Sequence, residues 1–330
     1  MIFTLISVSK SAGNIVLLIE YCACSRNSKN RKLLMRVAVL KGGFSSEREV
    51  SLVSGKACAH SLKNEGFDVI EIDVSVNLWE QLSNADPDIV FNALHGDWGE
   101  DGRVQGVLDL FGAPYTHSGL MASALAMDKH RSKVLFRDMG INVPYGLLVP
   151  REIVSLEHPL TPPYVIKPNG QGSSKDIFIV ERDEEPIKDL KNKDEMGDLV
   201  LIEEFCPGRE LTVTVMDGRA IGVTEVVPRS SWYDFNSKYK KDGSKHILPA
   251  LIDSEVSDLC LTWAVLAHNV LGCRGITRSD FKFKDDKQSN SSKADNLVML
   301  ELNTQPGMTS LSLVPEIAKF NNISFLSLIN

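Results

Sequence analysis

Three short apolar runs, Arg36 to Leu40, Asp68 to Ile72 and Asp88 to Leu94, constrain the fold more than any other feature of the chain. Each is strand-length, and they recur at the spacing of alternating strands and helices around a parallel sheet. The first ends in Gly42-Gly43, after which Ser46-Glu-Arg-Glu49 reads as a capping box opening a helix that runs to Leu62. The third ends in the polar loop HGDWGEDG, His95 to Gly102, before a helix from Val104 to Phe111. Sheets of this kind bind ligands beyond the carboxyl ends of their strands. Glu47 and His95 both stand there, which separates them from ordinary polar loop residues.

Further along, the pattern changes. Ser123 to Met139 has helical spacing, carries Lys129, Arg131 and Lys133, and is ended by Pro144. Tyr164 to Lys167 and Ile177 to Val180 read as short strands joined by PNGQGSSKD, and Leu199 to Glu204 as another, stopped at Pro207-Gly208. Leu211 to Met216 and Ala220 to Val227 form a hairpin about Asp217-Gly218. The polar, aromatic stretch Ser230 to Lys245 reads as a mobile loop. A helix from Ser254 to Leu271 then leads to a strand, Gly275 to Phe283, a polar tip, Asp285 to Asn296, and a strand, Leu297 to Asn303.

A chain of 330 residues has room for about two domains. Its 43% hydrophobic and 24% charged residues exclude disordered, collagen-like and coiled-coil classes. The net charge of -7 gives no general attraction to nucleic acid or anionic lipid, so any polyanion must be held by local cations. The six cysteines, Cys22, Cys24, Cys58, Cys206, Cys260 and Cys273, are too scattered for a disulfide framework. They read as reduced cytoplasmic thiols, with a stray metal or redox role as the alternative.

Residues 1–34 hold two apolar runs, Met1 to Val8 and Ile15 to Ile19, neither near the roughly 20 residues a bilayer requires. The basic cluster Arg26, Lys29, Arg31 and Lys32 follows them, opposite to the order in a secretory signal. Met35 opens the first strand. Residues 1–34 are therefore read as an N-terminal extension outside the fold, the alternative being a loosely ordered tail or targeting segment.

The glycine-rich loops were tested against known phosphate cradles. Lys41-Gly-Gly-Phe-Ser-Ser lacks G-x-G-x-x-G, and Gly55-Lys56 is followed by Ala57, so a dinucleotide fold and a Walker loop are both disfavoured. Lys167-Pro-Asn-Gly-Gln-Gly-Ser-Ser174 joins strand to strand and so has no helix dipole of its own to offer. Either it is a phosphate flap, built from exposed amides, the Ser173 and Ser174 hydroxyls and Lys167, or it is a plain hairpin loop.

Near the C-terminus, Arg278 and Asp280 share one face of a strand, as do Glu301 and Asn303 on the next. Paired antiparallel, the two strands gather Asp280, Glu301 and Asn303 as hard oxygen ligands suited to Mg²⁺ shared with phosphates. The rival reading is a salt-bridged sheet surface in which Arg278 neutralises the acids.

Six strings, KGGFSSEREVSLVSG, ALHGDWGEDGRVQG, MASALAMDKHRSK, VIKPNGQGSS, Lys238-Tyr239 and ELNTQPGMTSLSLVP, resemble the D-alanine–D-alanine ligase family of ATP-grasp enzymes, in its order, over Met35 to Ile329. The resemblance implies an α/β (α+β ATP-grasp) chain: an N-terminal parallel α/β substrate domain, 35–120, a central subdomain, 121–202, and a C-terminal subdomain, 203–330, the last two clamping ATP. It further implies ATP and two Mg²⁺ ions, with Mn²⁺ able to substitute, D-alanine as substrate, a homodimer, a cytoplasmic setting in peptidoglycan precursor synthesis, and no nucleic-acid or membrane partner.

Roles follow by the same resemblance. Lys129, Lys167 and Ser174 hold phosphates, while Asp280, Glu301 and Asn303 hold the metals. Glu203, Glu204 and Glu210, with backbone from Phe205 and Cys206, read adenine and ribose. Glu47 pairs with the first D-alanine's ammonium and connects through Ser173 to Tyr239, with His95 nearby. Arg278 and the Gly307 amide form the oxyanion hole, and Ser312, Lys238 and Leu313 receive the second substrate. A tyrosine at Tyr239 accompanies D-alanine rather than D-lactate as acceptor in the family.

The chain departs from the family at three places. Lys175-Asp176 occupy the stretch where a glycine usually stands two positions beyond the flap serines, Glu204 replaces a frequent lysine, and the chain ends at Asn330, soon after SLVP. A ligase with D-lactate or another amino acid as acceptor, and a non-catalytic nucleotide-binding relative, are the alternative functions.

Overall fold

The structure, a computed structural model, describes residues 7–11, 14–18, 35–172, 176–182, 185–228, 243–285, 292–309 and 312–329. Strands β1 (Ser7–Ser11) and β2 (Asn14–Leu18) pair antiparallel with each other and form a sheet of their own. The apolar runs then give β3 (Arg36–Lys41), α1 (Arg48–Asn64), β4 (Asp68–Asp73), α2 (Leu78–Ala85), β5 (Ile89–Asn92) and α3 (Arg103–Phe111). The sheet order is β4-β3-β5 and both pairings are parallel, as the spacing of the runs requires. The third strand is shorter than expected, because the chain turns away after Asn92.

The capping box is not formed. Helix α1 begins at Arg48 with Glu47 as its N-cap residue and no side-chain cap bond, while Ser45 Oγ accepts the Glu47 amide at 3.0 Å. Glu47 is buried. Ser51, on the first turn of α1, accepts the Gly42 amide and donates to the Ala93 carbonyl, each at 2.8 Å, and so binds the helix to both loops beyond the sheet.

The helical stretch 123–139 is two helices, α4 (Leu120–Met127) and α5 (Lys129–Asp138). Asp128 breaks them by adopting extended backbone and capping α5, its carboxylate accepting the Arg131 amide at 3.0 Å. Strand β6 (Gly146–Pro150), which periodicity does not reveal, and the single turn α6 (Arg151–Val154) come next. Strands β7 (Tyr164–Pro168), β8 (Phe178–Val180) and β9 (Leu199–Glu204) complete an antiparallel sheet ordered β6-β9-β7-β8.

The hairpin is β10 (Arg209–Met216) and β11 (Arg219–Pro228). Of the stretch read as a mobile loop, 229–242 lies outside the described residues, and its end forms β12 (Ser244–Ile247) paired with β11, which corrects that reading. After α7 (Ser254–Val270), β13 (Ile276–Phe283) and β14 (Leu297–Asn303) finish a five-stranded antiparallel sheet ordered β12-β11-β10-β13-β14. Helices α8 (Leu313–Phe320) and α9 (Phe325–Ile329) follow.

The buried clusters follow the sheets rather than the linear sequence. Phe136 of α5 packs with Leu211, Phe281 and Met299 beneath the five-stranded sheet. Val314 and Ala318 of α8 and Leu328 of α9 pack with Val37, Val39 and Phe91 of the N-terminal sheet. The four-stranded sheet keeps a core of its own, built around Tyr164, Ile166 and Ile202. Phe136→Ala is expected to cost about 3–5 kcal/mol, because the ring is fully enclosed and its site cannot collapse. Urea denaturation measures this, and an unchanged midpoint would show that α5 does not join that core.

Candidate active site

Strand β13 alternates cleanly: Thr277, Ser279, Phe281 and Phe283 are buried, while Arg278, Asp280 and Lys282 point to the other face. Its antiparallel register with β14 sets Arg278 opposite Asn303 and Asp280 opposite Glu301. The four polar residues therefore share one face, as their spacing requires. Arg278 grips Asp280 through Nε and Nη2 at 2.9 and 2.8 Å, and Thr212 donates to Asp280 Oδ1 at 2.7 Å. Glu301 pairs with Lys129 at 3.6 Å instead. The salt-bridged surface thus exists, and the same four side chains line the cleft above it.

Two cavities meet over this face. The larger, about 850 Å³ and open to solvent, lies between the four- and five-stranded sheets and is lined by Lys129, Lys167, Glu203, Glu204, Phe205, Cys206, Glu210, Asp280 and Glu301 among others. These are the residues read as nucleotide and metal contacts, apart from Ser174 and Asn303. The second, about 590 Å³, is lined by Glu47, His95, Glu100, Arg278, Asn303 and Gly307. Lys129, Gly172 and Glu301 line both.

In the second cavity Glu47 is buried against glycines: a Cβ on Gly96 or on Gly172 would come within 3.0 Å of its Oε1. His95 bonds Glu100 at 3.0 Å and Ser54 at 3.2 Å. Burial alone would lower its pKa, but the Glu100 hydrogen bond and the charges of Glu100 and Glu47 outweigh it and raise the value above normal. Ser312 caps α8 and accepts the Thr309 amide at 3.1 Å, directly behind Gly307, where a Cβ would approach its Oγ to 2.8 Å. Leu313 is buried at the head of α8. Ser173, Ser174, Lys238 and Tyr239 lie outside the described residues.

The flap reading requires one correction. Although its loop joins two strands, it sits on the N-terminus of α5: the Asn169 carbonyl accepts the Lys129 amide at 3.1 Å and its Oδ1 the His130 amide at 2.9 Å. Lys129 then reaches over the loop to donate to the Gln171 carbonyl at 2.6 Å. Asp176 has φ +54°, in the left-handed region that glycine enters freely and aspartate tolerates.

Glu203, read as an adenine contact, is enclosed between two lysines: Lys167 at 2.6 Å and Lys133, a residue to which the sequence reading assigned no role. Burial holds Lys133 down to about 7, the Glu203 charge only partly opposing this. For Lys167 the attraction of Glu203 exceeds the burial penalty and its pKa is raised. Glu204 is exposed, and the Phe205 amide is donated to the Pro163 carbonyl. Lys282, also unassigned from sequence, pairs with Glu210 at 3.0 Å.

The D-ala D-ala ligase C-terminus family matches residues 135–330, and the corresponding N-terminus family matches residues 75–118. The chain belongs to the D-alanine–D-alanine ligase family. Similar curated members include D-alanine–D-alanine ligases of a Ruegeria species, 49% identical over 292 residues (88% of this chain, 93% of that one), and of Parvibaculum lavamentivorans, 48% identical over 296 residues (89% and 95%). Among solved structures, the Bacillus anthracis D-alanine–D-alanine ligase complexed with ATP superposes with TM-score 0.74 at 29% identity, covering 89% of this chain and 94% of that one. The VanG D-Ala:D-Ser ligase of Enterococcus faecalis gives TM-score 0.73 at 29% identity, covering 89% and 97%. The fold is thus ATP-grasp, a parallel α/β unit followed by two antiparallel sheets with helices.

For this family's metal the donor set fits. Three lysines and five carboxylates line the larger cavity, so its own charge is net acidic and a polyphosphate gains little by entering without cations. Among the described residues no cluster of three or more His, Cys, Asp or Glu forms an all-protein cage. Two carboxylates and an amide on one face suit Mg²⁺, which completes its shell with phosphate oxygens and water.

Glu203→Gln is expected to cost about 3–5 kcal/mol, since it leaves two buried lysines without their counter-charge. Lys133→Met costs less, because Lys167 still neutralises Glu203. Between about 7 and the unfolded value near 10.4 the unfolded chain binds the extra Lys133 proton, so stability from this group rises with pH across that window and is absent below it. Denaturation of wild type and Lys133→Met from pH 6 to 10 reads both effects; parallel curves would sink the assignment.

Proposed function

We propose that this chain joins two D-alanine molecules to D-alanyl-D-alanine, with ATP converted to ADP and phosphate through an acyl phosphate. The observation that carries the reading is the pair of cavities sharing Lys129, Gly172 and Glu301, because an acyl phosphate forms only where nucleotide and amino-acid carboxylate meet. A carboxylate does not acylate an amine unaided. Transfer of the γ-phosphoryl group makes its oxygen a leaving group, the second D-alanine's amine attacks, and the tetrahedral intermediate expels phosphate.

Such chemistry is chiefly positioning and charge neutralisation. Lys129 and Lys167 hold the phosphates, with Ser173 and Ser174 of the flap. Glu203, Glu204 and Glu210, with Phe205 and Cys206 backbone, hold adenine and ribose. Asp280, Glu301 and Asn303 would hold two Mg²⁺ ions, or Mn²⁺, which would supply positive charge against the phosphates. Glu47 pairs with the first ammonium, connected through Ser173 to Tyr239, and His95 stands beside it. Arg278, held in place by its bonds to Asp280, and the Gly307 amide face the oxyanion. Ser312, Lys238 and Leu313 receive the second D-alanine.

Residues 35–120, 121–202 and 203–330 form the three functional parts, with 1–34 outside them. A homodimer acting in the cytoplasm on peptidoglycan precursors accords with the family and with the lack, among the described residues, of a helix long and apolar enough to cross a membrane.

Phosphate release with ATP, Mg²⁺ and D-alanine tests the reading, with D-serine and D-lactate as competing acceptors. Turnover that requires D-alanine and the divalent ion is expected, and Arg278→Ala should slow it by about 10²–10³-fold. Nucleotide binding without D-alanine-dependent turnover would favour the non-catalytic alternative, and preferential use of D-lactate or D-serine would change the acceptor.

A further inference from the structure

We propose that Gln305 is a positioning residue that ties the amino-acid subsite to the metal subsite, by clamping the turn after β14 onto the N-terminal sheet. The inference rests on the reading of Asn303 as a metal ligand given above.

Gln305 and Asn92 are both buried, although one follows β14 and the other ends β5. Buried amides are costly unless every donor and acceptor is met. Gln305 Oε1 accepts from Asn92 Nδ2 at 2.7 Å, and Gln305 Nε2 donates to the Leu94 carbonyl. Asn92 Nδ2 also donates to the Gly99 carbonyl at 3.1 Å, while its Oδ1 accepts the Leu94 amide at 3.1 Å. Reversing either amide would set donor against donor or acceptor against acceptor, so each side chain has one orientation.

The partners matter as much as the pair. Leu94 precedes His95 and Gly99 precedes Glu100, the two residues hydrogen-bonded to each other beside the amino-acid cavity. Gln305 binds the first arm of that loop directly and the second through Asn92. On its other side the Gln305 backbone N–H donates to Asn303 Oδ1 at 2.7 Å. That bond takes one lone pair of the amide oxygen, fixes which end of the amide faces the cleft, and leaves the other lone pair for a cation. Gly307 lies two residues further along the same turn and lines the amino-acid cavity. Removing the side chain keeps the backbone donor but loosens the turn that aims it.

Gln305→Met keeps length and removes both side-chain hydrogen bonds. Mn²⁺ binding to the enzyme–ADP complex, followed by electron paramagnetic resonance of the free ion, should weaken roughly tenfold or more. Steady-state ligation should need correspondingly more Mg²⁺ for half-maximal rate. Asn92→Ala should weaken Mn²⁺ too, and the double variant by less than the product of the single effects, because the two residues act as one unit. Wild-type Mn²⁺ affinity in Gln305→Met, or losses that multiply in the double variant, would overturn the proposal.

Hydrogen exchange on the unmodified protein tests it should the variants not fold. Adding Mn²⁺ to the enzyme–ADP complex should slow exchange of amides in residues 93–100, since coupling between sites is reciprocal; unchanged exchange there counts against the clamp. Absence of D-alanine-dependent phosphate release from wild type would defeat the functional reading alone, because Mn²⁺ affinity and exchange are read without D-alanine.

Discussion

The site depends on one irregularity, a bulge in β14. Along this strand Leu297 and Met299 face the core, and strict alternation would send Glu301 and Asn303 the same way. The register instead passes from Asp280 opposite Glu301 to Phe281 opposite Met299, leaving Leu300 as the extra residue. This one residue reverses the phase: Leu302 takes up the core position, while Glu301 and Asn303 turn to the cleft beside Arg278 and Asp280. Bulges re-aim side chains in this way. Without it an unpaired carboxylate would be driven into the packed layer around Phe281, at a cost far above that of an interrupted ladder.

With the acids so placed, the rest of the cleft must balance them. Lys129 approaches Glu301, Arg278 holds Asp280, Lys282 holds Glu210, and Lys133 with Lys167 encloses Glu203. The sequence suggested that an acidic chain must hold any polyanion by local cations; each of these cations is opposed by a carboxylate. Such pairing prevents mutual repulsion among the cations in a site that would otherwise fill only when ligand arrives. It also leaves the cleft without surplus positive charge.

Much of this was legible because it depends on periodicity. The parallel sheet, the hairpin, and the pairing of Arg278 with Asp280 and of Glu301 with Asn303 on one face of each strand follow from spacing and alternation, and these are in the residues. The β14 bulge was not, since the sharing of a face by Glu301 and Asn303 holds within any strand, whichever face it is. The displaced helix start has a similar cause: Ser-x-x-Glu spacing fits a box at Ser46, but the helix begins one residue later, with Glu47 at the N-cap and its amide donated to Ser45 Oγ. Lys133 and Gln305 escaped notice because their partners, Glu203 and Asn92, are 70 and 213 residues away. No local pattern encodes such contacts.

Helix α5 explains how the parts are joined. One side carries Phe136 into the core beneath the five-stranded sheet, so although it lies within 121–202 it packs with the C-terminal part. The same face, nearer the N-terminus, carries Lys133 to Glu203 of the four-stranded sheet and Lys129 to Glu301 of β14, and the N-terminal amides rest on Asn169. The N-terminal sheet shares apolar core with α8 and α9. The four-stranded sheet has its own apolar core and meets α5 through hydrogen bonds and charge. Apolar burial resists separation over the whole shared area, whereas a few polar bonds can be exchanged for bonds to a ligand. The N-terminal sheet and the C-terminal helices share one apolar cluster. The four-stranded sheet, with Lys167, is instead joined to α5 by polar bonds.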